Sequence, residues 1–396
     1  MQNRRLIRRL NLHFAALWGL FWASSACLWS FRTVFLLYHG FTNSQIGLVS
    51  SLALLLPIAA QPLLSSLSAR CSFMTNRNLS IALTILSMVC CVGIWLWGYA
   101  TVYAVLLVII GVALTMVPPY FNALNMDFVM RGMDLNFGAS RSCGSVAYSL
   151  TSLVMGAALE RFAPTLILPV FLAISAALLL ALFLFRYPLP PLAETAEKAA
   201  STPLSNVALL RRYPRFALML AACFLLIGSQ VTLGTYMIQI AGKVGGGESV
   251  TGTAYFLAAL SELPAMLLFA RVRRKLSLRA LMMGSTVFFV IRCVGFLLAG
   301  SIPMLYASCL LQFFAYAVMA LSTVYYVAEE LDAANQAKGQ TLIYILPSGV
   351  GAAFGALVGG WLLDISGVNA MLLFCTLCAV VGAVIMVPTL FGRRKA

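Results

Sequence analysis

Apolar residues occupy this chain in long blocks, each about the length needed to cross a bilayer, with short polar breaks between them. Twelve such blocks stand out: 12–36, 43–69, 78–97, 101–128, 139–159, 165–187, 216–242, 250–270, 278–299, 303–328, 339–363 and 368–391. All twelve are expected to be α-helices, because in lipid a helix satisfies its own backbone hydrogen bonds. The first block follows Arg4, Arg5, Arg8 and Arg9, as a signal peptide would. It is too long for a signal-peptide core and leads straight into further spans, so it reads as an uncleaved first helix.

The longest polar interruption, 188–215, contains Pro188, Pro190, Pro191, Glu194, Glu197 and Lys198, a composition suited to a surface linker. It divides the chain six spans against six. The expected domains are a bundle at 1–187, a cytoplasmic linker at 188–215 and a second bundle at 216–396. The halves echo each other. Gly47 with Leu52-Ala53 returns as Gly252 with Leu257-Ala258, and Gly156-Ala-Ala-Leu-Glu160 returns as Gly360-Trp-Leu-Leu-Asp364, at offsets of 205 and 204 residues. Two echoes at nearly one offset favour a duplicated unit. The fold class is all-α integral membrane, with 12 transmembrane helices in two pseudo-symmetric six-helix bundles.

Composition agrees. Of 396 residues 62% are apolar and only 9% charged, which excludes an ordinary soluble domain. A formal charge of +15 raises nucleic acid as a partner, but the basic residues form short clusters between spans, so no nucleic acid is expected. With both termini inside, 21 of the 26 Lys and Arg fall on inner loops and tails, and only Arg161 and Lys243 on outer loops. That asymmetry orients the chain with both ends cytoplasmic in a cell membrane. Ten cysteines make no paired zinc motif and no disulfide framework. Cys375 and Cys378 form a lone CxxC that reads as helix packing.

The remaining cations, Arg32, Arg141 and Arg292, lie within spans, as does the carboxylate Glu262. An ionisable side chain at the bilayer centre costs roughly 2.5–3.5 kcal/mol on insertion scales, so such groups face a wet cavity or a partner. Glu262, deep in the eighth span, is a candidate proton-coupling acid or an ion-pair partner. Arg292 needs a counter-charge, supplied by Glu262 or by a substrate anion. Arg32 either lines a cavity or snorkels to the headgroups, and Arg141 either anchors at the interface or enters the cavity. Neutral polar candidates are Asn122 and Asn125, Tyr148, Gln230, Tyr236 and Gln239, and Gln312 and Tyr316. Such amides often bond only between helices. Gly351, Gly355 and Gly359 recur every fourth residue, a small face for helix packing.

No GxxxxGK[ST] phosphate loop occurs, and His13 and His39 have no acid or cysteine spaced for a metal or a triad. Enzyme chemistry and a cofactor are therefore not expected.

Asn136-Phe-Gly-Ala-Ser-Arg141-Ser-Cys-Gly144-Ser-Val-Ala-Tyr148 resembles the helix-five signature of the lactose-permease-like branch of the major facilitator superfamily. That branch includes oligosaccharide, nucleoside and phenylpropionate proton symporters. Ser261-Glu262-Leu-Pro264 resembles its helix-eight acidic site, and Arg292 before Cys-Val-Gly295 its helix-nine arginine. Gln340-Thr-Leu-Ile-Tyr344 and Gly359-Gly-Trp-Leu-Leu-Asp364 resemble its helix-eleven signature. The resemblance implies substrate contact for Arg141 and Tyr148, and a role in proton release for Arg292. It also implies a substrate site near midplane between two parallel halves. The chain departs from the pattern in helix four, where Asn122 stands for an acid. In helix ten, Gln312 and Ala315 stand for a His and a Glu of the proton relay. The loop motif between helices two and three reads Ser65-Ser-Leu-Ser-Ala69-Arg70.

The expected function is secondary active transport by alternating access, coupled to protons. The expected substrate-binding residues are Arg141, Tyr148, Asn122, Arg32, Tyr236, Gln239 and Gln312, with Glu262 and Arg292 coupling the proton. Three guanidinium groups against one central carboxylate point to a small organic anion rather than a neutral sugar. A drug or metabolite exporter of the same fold and a non-transporting membrane sensor are the alternatives. The expected partners are a small-molecule substrate, a proton and the lipid bilayer, with the protein a monomer.

Overall fold

The computed structural model describes residues 2–71, 73–131, 133, 135–187 and 204–390, and among them every regular element is helical. Ten helices long and apolar enough to cross a membrane lead up to a final stretch, Ala333–Thr389. They are α1 (Arg4–Tyr38), α2 (Asn43–Ser68), α3 (Asn76–Leu96), α4 (Ala100–Val129), α5 (Phe137–Leu159), α6 (Pro164–Leu184), α7 (Pro214–Thr235), α8 (Glu248–Phe269), α9 (Leu278–Leu298) and α10 (Ile302–Glu330). The final stretch breaks at Gly367, whose φ of +77° takes the left-handed conformation that glycine adopts without strain. That break separates α11 from α12, so the described residues form twelve spans, as the hydropathy pattern predicts. Gly40 and Gly245, the other left-handed glycines, turn the chain from α1 to α2 and from α7 to α8. They stand 205 residues apart, the spacing of the sequence echoes.

Helix starts follow local capping chemistry. Thr75, Asn136 and Ser277 accept hydrogen bonds from Asn78 N, Ala139 N and Ala280 N at the first turns of α3, α5 and α9. Two helices carry wide π-type turns, at Ala26–Ser30 in α1 and Tyr344–Gly351 in α11. The second contains Pro347, which has no amide hydrogen to donate.

The chain clusters into two compact units: Met1–Phe41 with Leu52–Ala196, and Thr42–Ser51 with Glu197–Ala396. In the first, α1 packs on α5 and α6, and α3 on α4 and α6. In the second, α7 and α9 pack on the helix running from Ala352 to Leu390, α9 also on α10, and α8 on α10. The glycine face of α11 lies against α7. A Cβ at Gly351 would sit 2.6 Å from Phe224 O, and one at Gly355 would strike Gly228 O, so glycine permits the approach. Cys375 and Cys378 are buried free thiols.

Several details differ from the sequence expectation. The start of α2 groups with the second unit because the Asp364 carboxylate, on α11, caps it. Asn43 N and Nδ2 donate to one carboxylate oxygen at 3.0 and 2.9 Å, and Ser44 N and Oγ to the other at 2.7 and 2.6 Å. These bonds satisfy amides that a helix start leaves unpaired. The predicted span 216–242 ends at Thr235; Tyr236 leaves helical geometry, and a separate short helix Met237–Lys243 follows. Part of the expected linker is helical, Asn206–Arg212, with Ser205 as its cap. The rest, 188–203, and the basic residues Arg393, Arg394 and Lys395 lie outside the described residues. After α10, Asn335 and Tyr213 donate hydrogen bonds to the Asp332 carboxylate and, with Arg212 nearby, hold it below the usual carboxylate range.

Candidate functional site

Charged groups lie inside the spans of both units, Arg32 and Arg141 in the first and Glu262 and Arg292 in the second. In the first unit, Gly144 has no side chain to keep the Trp22 indole and the α1 backbone at Trp18 away from α5. Arg141, one turn earlier on α5, consequently reaches both indoles: its guanidinium carbon lies 4.7 Å from the Trp18 ring centre and 4.8 Å from that of Trp22. A cation over an aromatic face is attracted by the ring quadrupole, more strongly where water is scarce, and Trp18 is fully buried. Tyr148 stands two turns along the same helix face. Its ring meets Trp22 edge-on at 6.0 Å and its hydroxyl pairs with Ser30 Oγ at 2.6 Å. Ser30 closes the π-type turn of α1, a departure from α geometry often found at functional sites. Arg32 follows that turn, is 3% exposed, and lies 4.4 Å from the Trp29 ring. Its buried position answers the question left by the sequence: it does not snorkel to the surface. Asn122 is exposed on α4, whereas Asn125, one turn on, is fully buried with neither amide atom hydrogen-bonded among the described residues.

The second unit holds a charged, amide-bridged network. Gln312 is buried in α10, where the helix tightens into a short 3-10 turn at Leu311–Phe313. Its Nε2 donates to Glu262 Oε1 on α8 at 2.5 Å, and its Oε1 accepts from Arg292 Nη2 on α9 at 2.8 Å. Gln230 on α7 donates to the same Oε1 at 3.1 Å and accepts from Arg292 Nη1. One carboxylate, one guanidinium and two amides from four helices are thus joined, and Arg292 is only 2% exposed. The amide of Gln312 has each end turned to the charge it suits, N–H toward the carboxylate and C=O toward the guanidinium.

The structure brings together Glu262, Gln312 and Arg292 in one unit, and Arg141 and Tyr148 around Trp22 in the other. It does not bring Tyr236 or Gln239 into the Glu262 network. Tyr236 is fully buried and donates to Ala356 O at 2.7 Å and Asn43 O at 3.3 Å, and Gln239 Nε2 donates to Asn43 Oδ1 at 2.7 Å. Those polar atoms hold the start of α2. Gln230 is the network member the sequence site omitted, though a glutamine in the middle of an apolar span is itself the signal. Trp18 and Trp22 were omitted too, because indoles on membrane helices more often face lipid or the interface.

Residues 12–374 match the MFS_1 like family. The maltose permease of Geobacillus stearothermophilus is 26% identical over 357 residues, spanning 89% of this chain and 87% of that protein. Among solved structures, the nucleoside transporter NupG superposes with a TM-score of 0.78 at 17% identity, over 97% of this chain and 100% of that one. The human organic anion transporter MFSD10 (TETRAN) superposes with a TM-score of 0.63 at 16% identity, over 96% and 99%. With twelve apolar helices and a family match over most of its length, the chain belongs to the MFS_1-like family, as a multi-pass membrane transporter with the all-α major facilitator fold.

Proposed function

We propose that this protein moves a small organic solute across the cell membrane by alternating access, driven by protons, with both termini in the cytoplasm. The observation that carries the reading is the chain Glu262–Gln312–Arg292–Gln230, in which Gln312 and Arg292 are buried and the two ends half-buried. Arg292 keeps its charge throughout, since a guanidinium does not release its proton in proteins. Glu262 is then the one member able to load and unload a proton. As a carboxylate it accepts from Gln312 Nε2. Once protonated it becomes a donor, which favours turning the Gln312 amide so that Oε1 faces Glu262 and leaves Arg292. Protonation at one end thereby changes the partners of the cation at the other, without the His and Glu found in the helix-ten relay of related symporters.

Arg141 and Arg32, set against Trp18, Trp22 and Trp29, are read as the solute-binding groups of the first unit, together with Tyr148, whose ring meets Trp22, and Asn122 on α4. Asn122 brings no negative charge to offset Arg141. That balance favours an organic anion, for which guanidinium offers two parallel hydrogen bonds. A sugar-like solute is the second reading, favoured by the full-length similarity to a maltose permease.

Reconstituted protein tests both parts. A panel of aromatic and aliphatic carboxylates, maltose and nucleosides identifies the solute by counterflow. Glu262→Gln should then abolish uphill uptake driven by an imposed proton gradient while leaving counterflow intact. Undiminished uphill uptake in that variant would overturn the coupling assignment.

A further inference from the structure

The first unit carries a separate hollow where α1 and α3 finish and α4 and α6 begin. Its volume is about 480 Å³, within the range of small-molecule pockets. Phe35 and His39 line it from the end of α1, Trp95 from α3, Tyr103 from α4, and Phe162 and Thr165 from the α5–α6 turn and the start of α6. The charge asymmetry assigns this end of the unit to the outer side. An interfacial belt accounts for aromatic residues at that level, but not for five rings from four segments turned onto one hollow.

The rings fall into two sets. The His39 ring centre lies 4.5 Å from that of Phe35 and 4.6 Å from that of Tyr103, and Phe35 meets Tyr103 at 5.8 Å, so these three make one packed wall. Trp95 and Phe162 are 62% and 63% exposed and make no ring contact among the described residues, which leaves them open to a ligand. No Lys, Arg, Asp or Glu lines the hollow among the described residues. Its titratable groups are His39 and Tyr103. Tyr38, 5.2 Å from the imidazole, is a second phenol beside it, and Glu160 and Arg161 are the charges next to Phe162 in the chain, both exposed. Burial by its neighbours pushes His39 below the ordinary histidine value, so the imidazole is uncharged at neutral pH. Its contacts among the described residues are with rings, and neither ring nitrogen is hydrogen-bonded there. An uncharged imidazole offers a lone pair to an N–H donor, and aromatic faces attract a cation through the ring quadrupole. An anion would meet no cationic side chain here, whereas an ammonium ion would meet π faces and an acceptor together.

We propose that this hollow binds a small organic ammonium ion, held against the Trp95, Phe162 and Tyr103 rings with an N–H donated to the His39 imidazole, apart from the groups read as handling solute and proton. Full-length protein in neutral detergent is titrated with 2-phenylethylamine and with its uncharged analogue 2-phenylethanol, and Kd is read by calorimetry. The amine should bind about fivefold more tightly than the alcohol, the scale of a cation–π contact. Trp95→Leu and Phe162→Leu, at exposed positions, should each weaken amine binding about fivefold on the same ground while leaving the melting temperature without ligand unchanged. Acidification from about pH 8 to about pH 5 should weaken amine binding about threefold, because an imidazolium has no lone pair and repels the ammonium. His39→Gln, which keeps an acceptor but does not titrate, should bind the amine without that loss. Equal affinity for alcohol and amine, wild-type Kd values in both ring variants, or a wild-type affinity that does not fall on acidification would overturn the proposal.

Discussion

The two units share a helix-packing plan but handle buried charge differently. In the first, Arg141 and Arg32 lie over indole rings, with Trp18, Trp22 and Trp29 as their aromatic surfaces. In the second, Arg292 is held by two amides and linked through one of them to Glu262. Aromatic faces attract a cation through the ring quadrupole. Amide bridges use its donors and tie the cation to a titratable acid. Under the proposed function the two units divide the work, solute recognition in one and proton coupling in the other.

Substitutions can break or sharpen this contrast. Arg292→Ala should have the largest effect. Removing the buried guanidinium takes the donor from Gln230 and Gln312 and the nearby positive charge from Glu262, and a loss of about 2 kcal/mol or more in stability is expected. Counterflow should fall by about 100-fold, equivalent to roughly 2.7 kcal/mol; melting curves and proteoliposome flux check both. Gln312→Leu removes the bridge while keeping the ends, at a cost of about 1–2 kcal/mol for the donors and acceptors left unmet. It should uncouple uphill uptake while preserving some counterflow. If coupling survived, Glu262 would not need the amide.

Arg141→Lys probes the other unit. Losing the planar fork and its stacking should raise KM about tenfold, or roughly 1.4 kcal/mol, with the proton dependence of uptake unchanged. A shifted proton dependence would argue that the units do not divide the labour. Asp332→Asn serves as a surface comparison and should have the smallest effect. The carboxylate is held below its usual range, first by Asn335 and then by Tyr213, so its contribution is fully present above the ordinary aspartate value. As pH falls through that value and then through the lower folded one, the contribution disappears. Thermal melts should show a small deficit for the variant at neutral pH that vanishes on acidification.

Much of the fold was legible because bilayer thickness and backbone hydrogen bonding leave few options for long apolar blocks. The glycine breaks at Gly40 and Gly245 even keep the spacing of the sequence echoes. Glu262, Arg292 and Gln312 could be singled out because polar groups in lipid-length spans are conspicuous. Their connection could not, since hydrogen bonds among α7, α8, α9 and α10 depend on packing between residues up to 82 positions apart. Trp18 and Trp22 could be read from the sequence as cavity-lining or lipid-facing, because an indole's sequence context does not reveal whether it faces lipid or a guanidinium. The role of Asp364 at the start of α2, more than 300 residues away, is likewise invisible to any local pattern.

The central claim is that Glu262 carries the coupled proton. Its most direct test is solute-driven proton movement into proteoliposomes, followed with a pH-sensitive dye as the identified solute is added without an imposed gradient. Wild-type protein should acidify the lumen in step with solute entry, and Glu262→Gln should admit solute with no pH change. Equal acidification by both proteins, or solute entry through the wild type with none, would contradict the account.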